Sequence, residues 1–443
     1  VVTDGAFSPT FRVATVGVFA LGFLIAFEAL AVTTAMPLAV RDLHGRSVYA
    51  LTFSAFAAAG VIGNVGAGGW ADRSGPKRPL LVGVAVFAAG LLASGTASTM
   101  PVLIAGRALQ GFGAGAIGVA LYVLVARVYP ERLHPRVFAL LAAAWVLPSL
   151  IGPFAAGAVS TWLSWHWVFI GIIPLVAAAT LLLLPQLRSR PMPGTGDRIP
   201  VARILWSALA AVALLAMRPL LDVPTAGPLL AALAAAGAIA ALRPLLPTGT
   251  LRAARGLPAV IVARGMFSAG FAAADAYLPY SLIALRGLPP VVAGGIATVG
   301  AISWAAGSEL QSRLSERMSD HRCIGLGAMS FFVGAALVGV GTWTALIPVV
   351  VLGWLLAGLG IGTAYPRLSI ATLALSAPEE RGRNSAALQI GDGFGNGLAL
   401  TLVGVVTAFA PDGAFVGAFG LAALLGLGVL LVARRTATPA LAR

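Results

Sequence analysis

The chain has 443 residues, 59% of them hydrophobic and only 10% charged, with a mean hydropathy of +0.95, far outside the range of soluble globular proteins. Its net charge of +14 comes from basic residues scattered singly through short loops, which argues against a nucleic-acid partner and for charge that sets membrane topology. The single cysteine, Cys323, excludes an internal disulfide and a cysteine-based metal cluster.

Crossing a hydrocarbon core of about 30 Å takes roughly 20 helical residues. Apolar runs of that order lie at 13–36, 48–69, 80–98, 102–126, 137–160 and 167–184. A polar, Pro/Gly-rich linker follows at 185–203, then two shorter runs, 204–221 and 226–242, interrupted by Arg218, Asp222 and Pro224. The rest of the chain adds runs at 259–285, 291–310, 324–340, 346–371, 385–409 and 414–432. Backbone groups in lipid must be bonded within their own segment, and no alternating strand pattern occurs, so every run is expected to be a helix.

The expected fold is therefore an all-α polytopic membrane protein. It comprises a six-helix bundle (1–185), a linker with two additional helices (186–258) and a second six-helix bundle (259–443). Fourteen spanning helices are expected; the alternative is twelve, with the central pair as a hairpin lying along the membrane face. The run beginning at Val13 is too long for the apolar core of a cleaved signal peptide, so none is expected.

Basic residues orient the helices. With the N-terminus inside, the inner loops and tails hold 22 Lys/Arg and the outer loops hold four, Arg41, Arg46, Arg218 and Arg286. That asymmetry places both termini in the cytoplasm of a cell whose cytoplasmic membrane the chain crosses many times.

The stretch Gly69-Trp70-Ala71-Asp72-Arg73-Ser74-Gly75-Pro76-Lys77-Arg78 reads as a tight polar turn between two membrane helices. A similar stretch recurs at 315–322, where Glu316-Arg317 follow Asp72-Arg73 by 244 positions. Gly111 to Gly115 and Gly358 to Gly362 are 247 apart, and Pro130-Glu131 and Pro378-Glu379 are 248 apart. Several landmarks at nearly one offset indicate an internal repeat.

Ionisable groups within the spans carry the functional information, because their burial costs several kcal/mol unless they face a cavity or a partner. There are four acids: Glu28, Asp275, Glu309 and Asp392. Glu28 and Asp275 are 247 apart and so occupy equivalent positions. Each lies about ten residues, roughly 15 Å, from the outer end of its helix, near the membrane midplane. Asp392 lies about two turns from the inner face, while Glu309 sits beside an inner boundary, where capping or snorkelling is the alternative. A carboxyl in an apolar cavity takes up a proton more readily than one in water, and an approaching cation reverses that. This is the chemistry proton coupling needs; a permanent ion pair between helices is the alternative. Arg264 and Arg367, near inner helix ends, are expected to snorkel.

Five features resemble one family. Gly69, Asp72, Arg73, Gly75 and the Lys77-Arg78 pair look like the signature between helices 2 and 3 of the major facilitator superfamily of secondary transporters. Leu103-Ile-Ala-Gly-Arg107-Ala-Leu-Gln110-Gly111 resembles its helix-4 signature with a buried arginine, which implies a role in proton coupling for Arg107; the alternative is snorkelling to the outer interface. Glu28, nine residues before Pro37, is similar to the helix-1 acid of the fourteen-helix drug:proton antiporters, where it is usually Asp. Pro148, Gly152, Pro153 and Gly157 look like a degenerate form of the helix-5 antiporter motif, and Trp165-His166-Trp167 is similar to an aromatic-basic-aromatic signature of the same branch. The resemblance further implies a cytoplasmic latch at Gly69, Asp72, Arg73, Gly75 and Arg78.

No phosphate-binding Gly-x-x-x-x-Gly-Lys loop occurs, and the only lysine is Lys77. The histidines His44, His134, His166 and His321 sit in separate loops and form no metal or triad set, so no enzyme and no metal are expected. The expected activity is alternating-access export of hydrophobic or amphipathic, in some cases cationic, compounds such as drugs. The proton gradient would supply the energy and no cofactor would be needed. A lipid exporter and an uptake carrier of the same fold are the alternatives. Gln110, Trp145, Tyr277, Tyr280 and Trp304 are candidate cavity residues, and the protein is expected to work as a monomer in the lipid bilayer.

Overall fold

A computed structural model describes residues 5–9, 11–189, 201–314, 318–377, 380–409 and 414–437, and among these there are helices and no strands. The first half contains α1 (Arg12–Asp42), α2 (Tyr49–Ser74), α3 (Lys77–Gly95), α4 (Met100–Val128) and α5 (His134–Trp162). The short α6 (His166–Ile170) runs on into α7 (Ile172–Ser189) as one span. The central pair is α8 (Val201–Leu220) and α9 (Gly227–Leu242). Then come α10 (Leu257–Tyr280), α11 (Pro290–Leu314), α12 (Asp320–Thr344), α13 (Ile347–Ala374), α14 (Arg381–Phe409) and α15 (Ala414–Ala433).

Among the described residues, 13 helical stretches are long and apolar enough to cross a membrane, the central pair included. The long helix outside that set is α14, of 29 residues, whose apolar pattern is interrupted by Asn384, Gln389, Asp392 and Asn396. Large apolar side chains such as Leu181, Trp343, Leu424 and Leu431 are more than half exposed, as lipid-facing residues of a membrane bundle are.

The chain divides into two compact units. Unit 1 holds Val1–Arg46, Ala59–Ala208 and Pro289–Gly294; unit 2 holds Ser47–Ala58, Leu209–Leu288 and Gly295–Arg443. Each is built on a glycine-lined crossing of two helices, and the two crossings repeat position by position. In unit 1 a β-carbon added at Gly113 of α4 would lie 2.6 Å from the backbone nitrogen of Phe87 on α3. In unit 2 one added at Gly360 of α13 would lie 2.5 Å from that of Phe331 on α12. Gly83 meets Gly113 as Gly327 meets Gly360, and Gly90 meets Gly106 as Gly334 meets Gly353. The offsets are 244 on one helix and 247 on the other, as in the sequence repeat. Helices lacking side chains at the crossing approach until their backbones touch, and the attraction is then van der Waals.

Proline shapes the helix that carries Asp275. Pro279, inside α10, has no N–H for the carbonyl four residues back, which is that of Asp275 itself. Past it the helix widens into a π-helical turn, Ser281–Leu285. Of the sequence landmarks, Glu316-Arg317 and Pro378-Glu379 lie outside the described residues.

Candidate functional site

In unit 1 the glycine crossing of α3 and α4 sets Arg107 and Gln110 beside α1. Glu28 is 0% and Arg107 1% exposed, and the Arg107 guanidinium donates to Glu28 Oε1 in a buried ion pair. The same nitrogen donates to Gln110 Oε1 at 2.5 Å. Arg107 is thus turned inward to an acid, not outward to the interface. The second carboxylate oxygen of Glu28, the amide nitrogen of Gln110 and the hydroxyl of Ser94 on α3 are buried without a hydrogen-bond partner. A buried charge keeps its charge only with an opposite one close by, and this pair supplies it while leaving three polar atoms unsatisfied.

Unit 2 treats the equivalent acid differently. Asp275 on α10 is half-buried, and the described residues give it no ion pair and no side-chain hydrogen bond. The position 247 after Arg107 is Trp354, an indole 1% exposed whose Nε1 donates to the Ala297 carbonyl at 2.9 Å. Trp354 stacks on Phe271, at 5.4 Å and 19°, and Phe271 meets the edge of Trp304 at 5.1 Å. One turn beyond Asp275, Tyr277 and Tyr280 surround Tyr49, with ring centroids 5.1 and 4.3 Å from it, and the Tyr49 hydroxyl donates to the Ala276 carbonyl at 2.5 Å. The predicted cavity residues Tyr277, Tyr280 and Trp304 therefore lie in aromatic clusters on either side of Asp275 along the chain.

Asp392 on α14 is held by Arg264 of α10, whose Nε lies 3.0 and 3.3 Å from the two carboxylate oxygens, and by the Tyr365 hydroxyl at 2.8 Å. The Arg264 guanidinium lies over the Tyr365 ring, 3.5 Å from its centroid, and donates to the Ser369 hydroxyl. One turn along both helices, Ser268 donates to Asn396 at 2.7 Å. Arg264 does not snorkel: its side chain is 12% exposed, because a carboxylate and an aromatic face on neighbouring helices offer it a partner. Arg367 is corrected in the same way, being buried and bonded to Asp320 at 2.8 Å and to the Gln311 carbonyl at 3.1 Å.

Two expected site residues stand apart. Glu309 is 62% exposed and pairs with Arg313 one turn on, a surface ion pair near the end of α11. Its correction follows from its exposure: an acid on an open stretch of helix pairs with the cation one turn on. Trp145 on α5 is 53% exposed, so it is not part of either aromatic cluster.

The polar turn closes as its glycine requires. Gly75 sits at φ +81°, a conformation that costs other residues a steric clash, and its N–H caps the Ala71 carbonyl at 2.8 Å. Asp72 and Arg73 are exposed in the last turn of α2, within the helix and not beyond it, Gly69 is buried, and Arg78 is exposed in the first turn of α3. On α5, Gly157 would place a β-carbon 2.5 Å from the Pro290 carbonyl oxygen, and a β-carbon at Gly294 would overlap that of Pro153. Both contacts are internal to unit 1. Gly152 packs loosely on α1 near Phe27 and Ala31, and Pro148 and Pro153 lie inside α5.

With this geometry in place, comparison with known proteins decides the family. The profile of the Major Facilitator Superfamily matches residues 18–337. The chain belongs to the Major Facilitator Superfamily. A probable multidrug-efflux transporter of Mycobacterium tuberculosis is 29% identical over 419 residues, covering 87% of this chain and 85% of that protein. An MFS-type transporter of Aspergillus fumigatus is 32% identical over 189 residues, 42% of this chain and 32% of that one. Among solved structures, a peptide transporter POT in complex with sulfate superposes with a TM-score of 0.68 at 17% identity, covering 95% of this chain and 94% of that one. A POT family transporter in complex with 5-aminolevulinic acid gives 0.65 at 12%, covering 95% and 97%. These two share the fold.

As a major facilitator transporter, the chain brings together Glu28, Arg107 and Gln110 in one unit, and carries Asp275 on α10 and Asp392 on α14 in the other. Sequence reasoning missed Tyr49, Arg264, Tyr365 and Ser369. Arg264 carried a signal: Arg264–Asp392 and Ser268–Asn396 are both separated by 128 positions, the equal spacing of two polar pairs on helices that run side by side.

Proposed function

We propose that this transporter is a proton-coupled antiporter of the cytoplasmic membrane that exports hydrophobic or amphipathic compounds by alternating access, with both termini inside. The observation that carries the reading is the unequal treatment of two equivalent acids. Glu28 is buried against Arg107, while Asp275 is half-buried and the described residues give it no cation. A carboxyl without a fixed counter-ion changes charge when it binds a proton, and a cationic or polar substrate group can take the proton's place. Glu28 is the second coupling acid, and its unsatisfied oxygen is where a proton would be held while Arg107 keeps the other oxygen. The 22 to 4 distribution of basic residues supports the orientation, and the printed description of the mycobacterial relative supports efflux. The proton gradient supplies the energy, and the protein works as a monomer in the bilayer.

The test is proton movement in everted vesicles energised by respiration, with lipophilic cations, neutral drugs and lipids added to wild type, Glu28→Gln and Asp275→Asn. A compound that dissipates the pH gradient with wild type alone supports antiport through these acids. Equal responses from wild type and both variants would remove them from the mechanism. Substrate accumulation in oriented vesicles against the opposite gradient would show uptake instead.

A further inference from the structure

The cluster of Arg264, Tyr365, Ser369 and Asp392 has no counterpart in unit 1. The residues 247 positions earlier than Arg264, Tyr365 and Asp392 are Gly17, Gly118 and Trp145. Glycine stands at the positions of the guanidinium and the Tyr365 ring, and Trp145 and Tyr122 stand at those of Asp392 and Ser369, so unit 1 has no ion pair at these positions. The same helix arrangement thus forms without this cluster. Nor is it needed to bring α10 against α14, which already touch through backbone at Gly265, Gly391 and Gly395. A half-buried ion pair is in any case weak evidence of stabilisation. The cluster needs another explanation.

Its construction is that of a cation held ready for an anion. The guanidinium is held by the Tyr365 ring beneath it and by the Ser369 hydroxyl, contacts made in addition to its pairing with Asp392, to which the Tyr365 hydroxyl also donates. A stacked, oriented guanidinium is the side chain best suited to a planar or forked oxyanion. Unlike the sealed Glu28–Arg107 pair, at 0% and 2% side-chain exposure, Arg264 and Asp392 remain 12% and 16% exposed. Asp392 occupies the guanidinium through its charge, and protonation removes that charge.

We infer that Arg264, with Tyr365 and Ser369, is a binding site for the anionic group of an amphipathic ligand, and that Asp392 is the built-in occupant which the ligand replaces. Among the described residues of unit 2, Arg264 from α10 and Tyr365 from α13 are the charged and titratable groups set against Asp392. Loss of the Asp392 charge frees Arg264, so binding of the anion and protonation of Asp392 favour one another. The site does not rest on proton antiport at Glu28 and Asp275, and equilibrium binding tests it apart from transport.

The probe is decanesulfonate, which stays ionised at every pH used, titrated calorimetrically into the full chain in neutral-lipid nanodiscs, with empty nanodiscs subtracted. Wild type is expected to bind more tightly as pH falls from 8.5 to 5.5. Asp392→Asn should bind at least tenfold more tightly at pH 7.5 and lose the pH dependence. Arg264→Lys should weaken binding about tenfold and Arg264→Gln should abolish it, while decyltrimethylammonium gains nothing from Asp392→Asn over decanesulfonate. Thermal unfolding of each variant confirms that it is folded, and Arg264→Lys keeps the test valid where Arg264→Gln is not. Binding that is unchanged by Asp392→Asn, or equal in wild type and Arg264→Lys, would overturn the site and leave the pair as a clamp between α10 and α14.

Discussion

Trp354 stands in unit 2 where Arg107 stands in unit 1, 247 positions later and on the equivalent helix. With indole in place of guanidinium, Asp275 has, among the described residues, no counterpart of the cation that Glu28 has. Two acids at one repeat position are therefore chemically different, one in a sealed pair and one half-open beside aromatic rings.

Removing one partner of the sealed pair should be costly. Arg107→Ala leaves the Glu28 carboxyl buried without its cation, and a loss of about 3–5 kcal/mol is expected. The double variant Glu28→Leu, Arg107→Met removes both charges and should unfold closer to wild type than Arg107→Ala does. Thermal unfolding in detergent checks this; additive losses would show that the two side chains are not coupled.

Asp275→Asn breaks no ion pair, so its stability should stay within about 1 kcal/mol of wild type. Substrate-driven proton flux should nevertheless be lost. A stability loss matching that of Arg107→Ala would mean that Asp275 carries a structural contact as large as the buried pair.

Gly294→Ala should be destabilising by about 1–3 kcal/mol, because the new methyl meets the Pro153 carbonyl, a backbone atom that cannot swing aside. Gly66→Ala is the matched comparison: a β-carbon there meets nothing within 4 Å, and the helix gains propensity. Equal melting temperatures for the two variants would contradict the close approach of Gly294 to Pro153 within unit 1.

Gly75→Ala should cost about 1–2 kcal/mol, the steric penalty of a left-handed conformation. Gly75→Asn, which tolerates that conformation better, should cost less. Circular dichroism melts of the three proteins give the order; an alanine variant as stable as wild type would mean the turn relaxes to another shape.

The spans, the repeat and the family were legible in the sequence, because each depends on local composition or on a motif read along one chain. Twenty apolar residues must be helical in lipid whatever packs beside them, and the offsets of 244 and 247 reappear in the glycine crossings of α3 with α4 and α12 with α13. The equivalence of Glu28 and Asp275 and the choice of Arg107 as a partner also needed only the sequence.

Tertiary structure decided which ionisable groups meet. Arg264 and Arg367 read as snorkelling residues because position along a helix measures depth and says nothing of which face a side chain occupies. Packing turned both inward, toward Asp392 and Asp320. Glu309, at a similar depth, turned outward to Arg313. Tyr49 carried no motif at all, and its place beside Tyr277 and Tyr280 follows from helix contacts more than 200 residues apart in the chain. Depth and helicity are set by transfer from water to lipid, a property of each segment. Partnership is set by the rotation of one helix against another, a property of the packed pair alone.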